Sequence, residues 1–214
     1  MEFRWRYLTM LLFLSLTLII GGCASYTTQS LDTSRDHPLM VTQTTEKFKV
    51  TAIPIITKED GKRVFDRDDL NRKGFVPVFL SITNFGTSAL TVRSVSLVDP
   101  QGNVSKQLSA TEAAESVKKS VVGRAVGWLI LAGGIGAIAS AAHSASVNEK
   151  IVNDLTEKQF KMNPIPSKDT RTGYVYFEVP EKTTSLDGFK LVLEFEADDK
   201  AQIVLPLKGE ITGK

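Results

Sequence analysis

The sequence predicts a mainly β protein with a helical insertion near its middle, and three observations support this fold class. Short segments in which apolar and polar residues alternate occur on both sides of residues 109–160, as is typical of strands with one buried face. Residues that favour turns separate these segments. Residues 109–160 lack the alternation and are rich in helix-forming residues, alanine and glycine.

Four strands are predicted before the insertion. Pro54, near the end of the first strand, favours an edge or a bulge there because proline cannot donate to the ladder. In the third strand the alternation slips at Ser94, which indicates a bulge or a bend. Residues 58–74 are charged and are predicted to form a loop. The four strands cover residues 48–56, 75–83, 90–98 and 104–108.

Three strands are predicted after the insertion, at residues 173–179, 189–196 and 203–207. Seven short strands with turn signals between them are the pattern expected of an immunoglobulin-like sandwich, with the insertion between strands 4 and 5. The run from Val78 to Asn84, its turn and the strand at 90–98 also resemble telokin-like extracellular domains of bacteria. This resemblance covers residues 47–108 and bears on the fold more than on function.

The insertion is predicted to contain two helices on either side of an apolar stretch. Ser109 and Glu112 have the spacing of a capping box, which predicts a helix start. A second helix is predicted over residues 148–160. Between the two, Val121–Ala142 carries one charged residue, Arg124, in 22 residues.

Small residues recur four apart in this stretch, as at Gly123 and Gly127, which resembles the glycine zippers that allow close helix approach in lipid. A single membrane span would separate four predicted strands from three, and each arm of a hairpin, at ~18 Å, is too short to cross. Three interpretations stay open: packing on the sandwich or in an oligomer, a surface that meets membrane or a partner protein, and a span. The predicted contact residues are Gly123, Gly127, Trp128, Gly133, Gly134 and Gly136.

The N-terminus has the pattern of a secretory leader. Arg4 and Arg6 precede an apolar run at residues 7–20, and Gly22 stands directly before Cys23, the single cysteine of the chain. The run has 14 residues, fewer than the ~20 that span a bilayer, so a permanent transmembrane anchor is not expected.

The sequence Ile20-Gly21-Gly22-Cys23 resembles the lipobox of bacterial lipoproteins, with isoleucine where leucine is usual. The resemblance implies cleavage between Gly22 and Cys23 and acylation of Cys23 by more than one chain, palmitate among them, which would hold the protein firmly on a membrane. Ala24 and Ser25 follow the cysteine. In a bacterium with two membranes, that pair implies the outer membrane, with the domain facing the periplasm.

The predicted organisation is a signal peptide at residues 1–22, a flexible, Ser/Thr-rich tether at 23–45 and a β-sandwich domain at 46–214. The leader carries two arginines and one glutamate, so the mature chain keeps a formal charge of +1. Such a balance gives no electrostatic argument for a nucleic-acid partner. With Cys23 acylated, no thiol is left for a disulfide or a metal site.

No arrangement of residues predicts catalysis, a metal or a cofactor. His37 and His143 lack partners at metal-ligand spacing and are interpreted as solvated side chains. The acidic cluster at residues 66–69 lacks the spacing of a calcium loop and is interpreted as a solvated loop or turn. An aromatic set is interpreted mainly as core and cross-strand pairs, with a binding groove as the alternative: Phe75, Phe79, Tyr174 and Tyr176.

We therefore expect a non-enzymatic, lipid-anchored envelope protein that binds a partner protein, another copy of itself or the bilayer through its glycine-rich insertion. The alternative is a periplasmic ligand-binding or hydrolytic module with a pocket between the insertion and the sandwich. In that case Asp66, Asp68 or Asp69 would supply a polar group.

Overall fold

The computed structural model describes residues 28–29, 31, 37–67, 70, 74–117, 149–180, 182–196 and 201–212. Apart from Glu149, these residues belong to one compact unit that comprises Thr27–Lys118 and Lys150–Lys214. The predicted leader and the apolar stretch of the insertion lie outside the described residues. The same holds for every predicted cleavage, lipidation and contact residue: Gly22, Cys23, Gly123, Gly127, Trp128, Gly133, Gly134 and Gly136.

Within the described ranges, eight strands form two antiparallel four-stranded sheets. In chain order the strands are β1 (Val41–Thr44), β2 (Phe48–Pro54), β3 (Phe75–Asn84), β4 (Thr91–Val98), β5 (Val104–Lys106), β6 (Thr170–Glu178), β7 (Lys190–Glu196) and β8 (Gln202–Pro206). Sheet 1 has the order β1-β2-β3-β6, and sheet 2 has the order β5-β4-β7-β8. The prediction of a mainly β fold is confirmed at this level, and β2 to β8 occupy the seven predicted positions.

The main core consists of the side chains that alternate inward on the two sheets. On β3 these are Val76, Val78, Leu80 and Ile82, each with no exposed surface, and on β7 Leu191 and Leu193 are equally buried. This alternation is the one from which the strands were predicted. The bulge predicted at Ser94 is confirmed, because the pairing of β4 with β7 shifts between Val92 and Ser94.

β1 was not predicted, and it lies in the range assigned to the flexible tether. Its sequence is Val-Thr-Gln-Thr, and three of its four residues are exposed, so it lacks the apolar face that marks the other strands. It is an edge strand that pairs with β2 alone, from Val41 opposite Ala52 to Thr44 opposite Lys49. The sandwich therefore begins before residue 46.

Helix α1 (Lys58–Phe65) replaces the predicted loop. Thr57 caps its N-terminus by accepting a hydrogen bond from the Asp60 N–H, and Asp66 ends it in a left-handed conformation with φ of 52°. Gly61 is required because a Cβ there would lie 2.5 Å from the carbonyl oxygen of Arg67. The prediction failed because only Val64 and Phe65 mark an apolar face in an otherwise charged sequence.

Helix α2 (Ala110–Val117) begins at the predicted capping box, which is confirmed. The Glu112 carboxylate accepts from the Ser109 N–H at 2.7 Å, and the Glu112 N–H donates to the Ser109 hydroxyl at 3.3 Å. The hydrogen bond from the Ser109 N–H holds the pKa of Glu112 below its usual value. Residues 149–158 are also helical, within the range predicted for the second helix of the insertion, and are called the exit helix below.

Candidate functional site

The candidate site lies on the outer face of sheet 1, which is the face turned away from sheet 2. On β3 and β6 the side chains that alternate with the main core form an aromatic row. Phe79 lies opposite Tyr174 in the register, with ring centroids 5.5 Å apart, and Phe75 stacks on Tyr176 at 5.8 Å. These four residues do come together as predicted, and the interpretation as cross-strand pairs and core is confirmed.

The aromatic row is covered by α1 and the exit helix. The ring of Phe65, on α1, lies 5.5 Å from Tyr174 and 6.3 Å from Tyr176, in edge-on geometry. From the exit helix, the carbonyl of Leu155 accepts a hydrogen bond from the Tyr176 hydroxyl at 3.0 Å. Burial raises the pKa of both tyrosine phenols above the ordinary value. These buried rings, called the outer core below, are closed against solvent rather than open as a groove: Phe65, Phe75, Tyr174 and Tyr176.

The end of the exit helix comes close to β6 because residue 173 is glycine. A Cβ at Gly173 would lie 2.5 Å from the Cα of Phe160. The Phe160 N–H donates to the Tyr174 carbonyl at 2.8 Å, which attaches this part of the chain to the edge of sheet 1.

Lys158, at the end of the exit helix, joins three separate parts of the chain. Its ammonium donates to the Asp154 carboxylate at 2.7 Å, to the Thr28 hydroxyl at 2.8 Å and to the Val64 carbonyl at 2.9 Å. An ammonium group has three donors, so all of them are used. The same nitrogen lies 5.7 Å from the centroid of the Phe65 ring.

Residues Thr28, Gln29 and Leu31, called the docking segment below, are held on this outer face. The Thr28 hydroxyl donates to Asp154 at 3.2 Å, and the Gln29 N–H donates to the Arg63 carbonyl at 2.7 Å. The side chain of Leu31 is buried. These residues were predicted to be flexible tether, but the domain holds them through these contacts.

His37 attaches the chain to α1 a second time. Its Nδ1 accepts from the Leu39 N–H at 3.2 Å, so Nε2 carries the proton and donates to the Asp60 carboxylate at 3.1 Å. The same carboxylate accepts from the Thr57 hydroxyl at 2.7 Å and from the Arg63 guanidinium at 3.0 Å. The interpretation of His37 as a solvated residue was wrong, because its side chain is only 11% exposed.

This arrangement holds separate chain segments together on the outer face. Both ring nitrogens of His37 already have partners, so neither offers a lone pair to a substrate or a metal. In the part of the chain that the structure describes, no group of three or more metal-ligating side chains occurs. Asp66 caps α1 and forms an ion pair with Lys62 at 2.8 Å, while Asp68, Asp69 and His143 lie outside the described residues.

A groove of about 410 Å³ lies where β5 approaches the end of β6. The Leu108 N–H donates to the Tyr176 carbonyl at 2.8 Å, which joins the chain after β5 to sheet 1. Asp66 is not among the lining residues, so the groove differs from the pocket of the alternative hypothesis. The groove is lined by Ser105, Lys106, Leu108, Glu178, Val179 and Pro180.

Sequence reasoning did not identify the Lys158 and Asp60 clusters. Asp154 and Lys158 stand four apart on a predicted helix, which is a visible signal for a pair. The partners Thr28 and Val64 lie 130 and 94 residues away from Lys158, and no local pattern connects them.

A search of the described helices for length and apolar composition found none that could span a membrane. No protein-family model matches the chain, and comparison with curated proteins gave no match. Among solved structures, the chain is similar to a DUF4426 family protein from Pseudomonas aeruginosa, with a TM-score of 0.34 and 10% identity. The alignment covers 82% of this chain and 97% of that one.

Proposed function

We propose that this protein is a non-enzymatic lipoprotein of the bacterial cell envelope, anchored through acyl chains on Cys23, that binds a partner protein through residues 118–148. The lipobox-like sequence at residues 20–23 supports the anchor. The outer membrane is favoured because Ala24 and Ser25 follow the cysteine.

The observation that supports the proposal is the contact between the docking segment and the exit helix on the outer face of sheet 1. The docking segment, which follows Cys23 in the sequence, binds Asp154 and Lys158 of the exit helix. The exit helix in turn follows residues 118–148. The segment next to the proposed anchor therefore contacts a helix next to the proposed partner-binding residues.

A protein partner is favoured over the bilayer because the anchor alone supplies membrane affinity. Each buried methylene of an acyl chain contributes about 0.8 kcal/mol, so two or more chains bind firmly. An apolar segment of 22 residues with a single charge is then not needed to hold the protein on a membrane.

We also infer that the sandwich is immunoglobulin-like. With β2 to β8 named A to G, sheet 1 contains the neighbours A-B-E and sheet 2 contains the neighbours C-F-G. The same neighbours occur in the two sheets of immunoglobulin domains. The fold alone does not define the partner.

The anchor is tested by labelling cells with radioactive palmitate and comparing the wild-type chain with Cys23→Ala. The proposal expects label on the wild type, none on the variant, and release of the variant from the membrane fraction. An unlabelled wild-type chain would contradict the anchor.

The partner is tested by chemical cross-linking in intact envelopes, followed by purification of the wild type and of a deletion of residues 118–146. The deletion should lose specific cross-linked species while its thermal unfolding stays cooperative. An unchanged set of cross-linked proteins from a folded deletion variant would contradict the role of the insertion. A peptide of residues 118–146 that partitions into liposomes would favour the bilayer instead.

The groove between β5 and β6 supports ligand binding as a second candidate function. Its walls carry Lys106 and Glu178, which have opposite charges and suit a zwitterionic or peptide-like ligand. This function predicts that Lys106→Ala and Glu178→Ala abolish the cross-linked species and that the deletion of 118–146 does not.

A further inference from the structure

The docking segment lies in a cleft of the outer face, and its contacts are of three kinds. Thr28 is bound by side chains, with its hydroxyl between Asp154 and Lys158. Gln29 is bound through its backbone N–H, to the Arg63 carbonyl. Leu31 is bound by burial, since only 7% of its surface is exposed.

We propose that this cleft between α1 and the exit helix is a binding site for the chain's own N-terminal segment, and that docking determines how far the domain stands from its membrane. The second part rests on the proposed lipidation of Cys23. The first part does not, because every contact involves residues after the cysteine.

The polar groups that line the cleft depend on the docking segment for their hydrogen-bond partners. Without Thr28, one donor of the Lys158 ammonium would lose its partner, although the Lys158 side chain is about four-fifths buried. Buried polar groups without partners are costly, so the empty cleft is disfavoured.

Docking shortens the free chain between lipid and domain. Cys23 and Thr28 are five residues apart, and a fully extended chain of that length reaches at most ~18 Å. If the segment were released, the next attachment among the described residues would be His37, bound to Asp60. The free chain would then be 14 residues long and would reach at most ~50 Å. The docked protein therefore meets partners in or beside its own membrane, and the released one meets partners deeper in the periplasm.

The contact is tested by disulfide cross-linking of Thr28→Cys with Asp154→Cys in the full-length chain, in envelopes. The side-chain oxygens of these residues are 3.2 Å apart, and a disulfide would close a loop that changes mobility on a non-reducing gel. The double variant keeps the Gln29 hydrogen bond and the buried Leu31, which hold the segment in place while the disulfide forms. Thr28→Cys with Asn153→Cys is the matched control, because Asn153 is exposed on the neighbouring position of the same helix. We expect rapid, nearly complete closure of the first pair and at least tenfold slower closure of the control.

The distance between the domain and its membrane is tested by energy transfer between labelled lipid headgroups and a dye on Glu59→Cys, an exposed position of α1. The dye is attached after oxidation of the Thr28–Asp154 cysteine pair. Transfer should be high in the wild type and in the cross-linked protein. It should fall at least twofold in Leu31→Asp, which removes the apolar contact from the segment and leaves the domain's own side chains unchanged.

Equal closure of both cysteine pairs would overturn the docking site. Equal transfer in the cross-linked protein and in Leu31→Asp would overturn its effect on reach. Failure of the lipoprotein proposal is separate, because it appears as an absence of palmitate on the wild type, while the cross-linking result still decides whether the segment docks.

Discussion

The two faces of sheet 1 are built on different principles. The inner face meets sheet 2 through aliphatic side chains such as Val78 and Leu80, which come from regularly alternating strands. The outer face is covered by two helices and the docking segment, and it is closed by aromatic rings and by charged groups such as Lys158 and Asp60. The inner face needs only shape and burial, whereas the outer face needs specific hydrogen-bond partners from distant parts of the chain.

This difference determines which face a change in the docking segment or in the exit helix reaches. The outer face of sheet 1 holds the docking segment, which follows Cys23 in the sequence, and the exit helix, which follows residues 118–148. If the proposed anchor and partner act through these two segments, their effect reaches the outer core before the inner face.

Phe65→Ala tests whether the outer core stabilises the domain as strongly as the inner core. We expect a loss of about 3–5 kcal/mol in the free energy of unfolding, because a fully buried ring leaves a cavity among Phe75, Tyr174 and Tyr176. Urea unfolding measures it, with Leu80→Ala as the inner-face reference at about 2–5 kcal/mol. A loss below about 1 kcal/mol would show that the outer core contributes little to the stability of the sandwich.

Alkaline pH should destabilise the outer core selectively. Burial raises the folded-state pKa of Tyr174 and Tyr176 above the unfolded value of about 10, so the folded chain keeps protons that the unfolded chain releases. Their contribution is complete below pH 10 and is lost as the pH rises. Between pH 9 and 11 we expect a loss of about 3 kcal/mol from the pair.

The control for this titration is the double variant Tyr174→Phe/Tyr176→Phe, which keeps the rings and removes the titrating groups. Stability should depend on pH much less in the variant than in the wild type over the same range. Parallel curves for the two proteins, measured by urea unfolding, would show that the tyrosines do not carry the effect.

Lys158→Ala tests how much the hydrogen bonds of the Lys158 ammonium on the outer face contribute to stability. Removal of the ammonium leaves Asp154, Thr28 and the Val64 carbonyl without their shared donor, and we expect a loss of about 2 kcal/mol. Lys161→Ala is the matched control. Lys161 is exposed, and its one ammonium contact to the described residues is with the Thr156 carbonyl, so the loss on its substitution should stay within about 0.5 kcal/mol.

Of the four predicted changes, Thr57→Ala should have the smallest effect, a loss of about 1 kcal/mol in the free energy of unfolding. The change removes the N-cap of α1 and one hydrogen bond to Asp60. Thermal unfolding should show a lowered midpoint, and Thr57→Ser, which keeps the hydroxyl, should restore most of it. If alanine and serine gave the same midpoint, the cap would not stabilise α1.

The inner face could be predicted from the sequence because its strands are marked by patterns among residues that are close together in the chain. Alternation with period two identified β2 to β8, the slip at Ser94 identified the bulge, and the spacing of Ser109 and Glu112 identified the start of α2. β1 escaped prediction because an exposed edge strand has no apolar face to alternate.

The outer face could be predicted only in part, because its contacts join residues that are far apart in the sequence. The aromatic residues of β3 and β6 were recognised as possible partners, but their cover was not. α1 has too few apolar residues to reveal its buried side, although Thr57 and Asp60 had the spacing of a cap. The pairing of Thr28 with Lys158 depends on the tertiary fold alone.

Hydrogen exchange at the Gln29 amide in the full-length protein tests the central claim most directly. This N–H donates to the Arg63 carbonyl at 2.7 Å, so docking predicts exchange at least tenfold slower than in an unstructured chain. Lys158→Ala should remove this protection and leave that of the β3 amides in place. Exchange of Gln29 at the unstructured rate in the wild type would contradict the claim that the domain binds its own N-terminal segment.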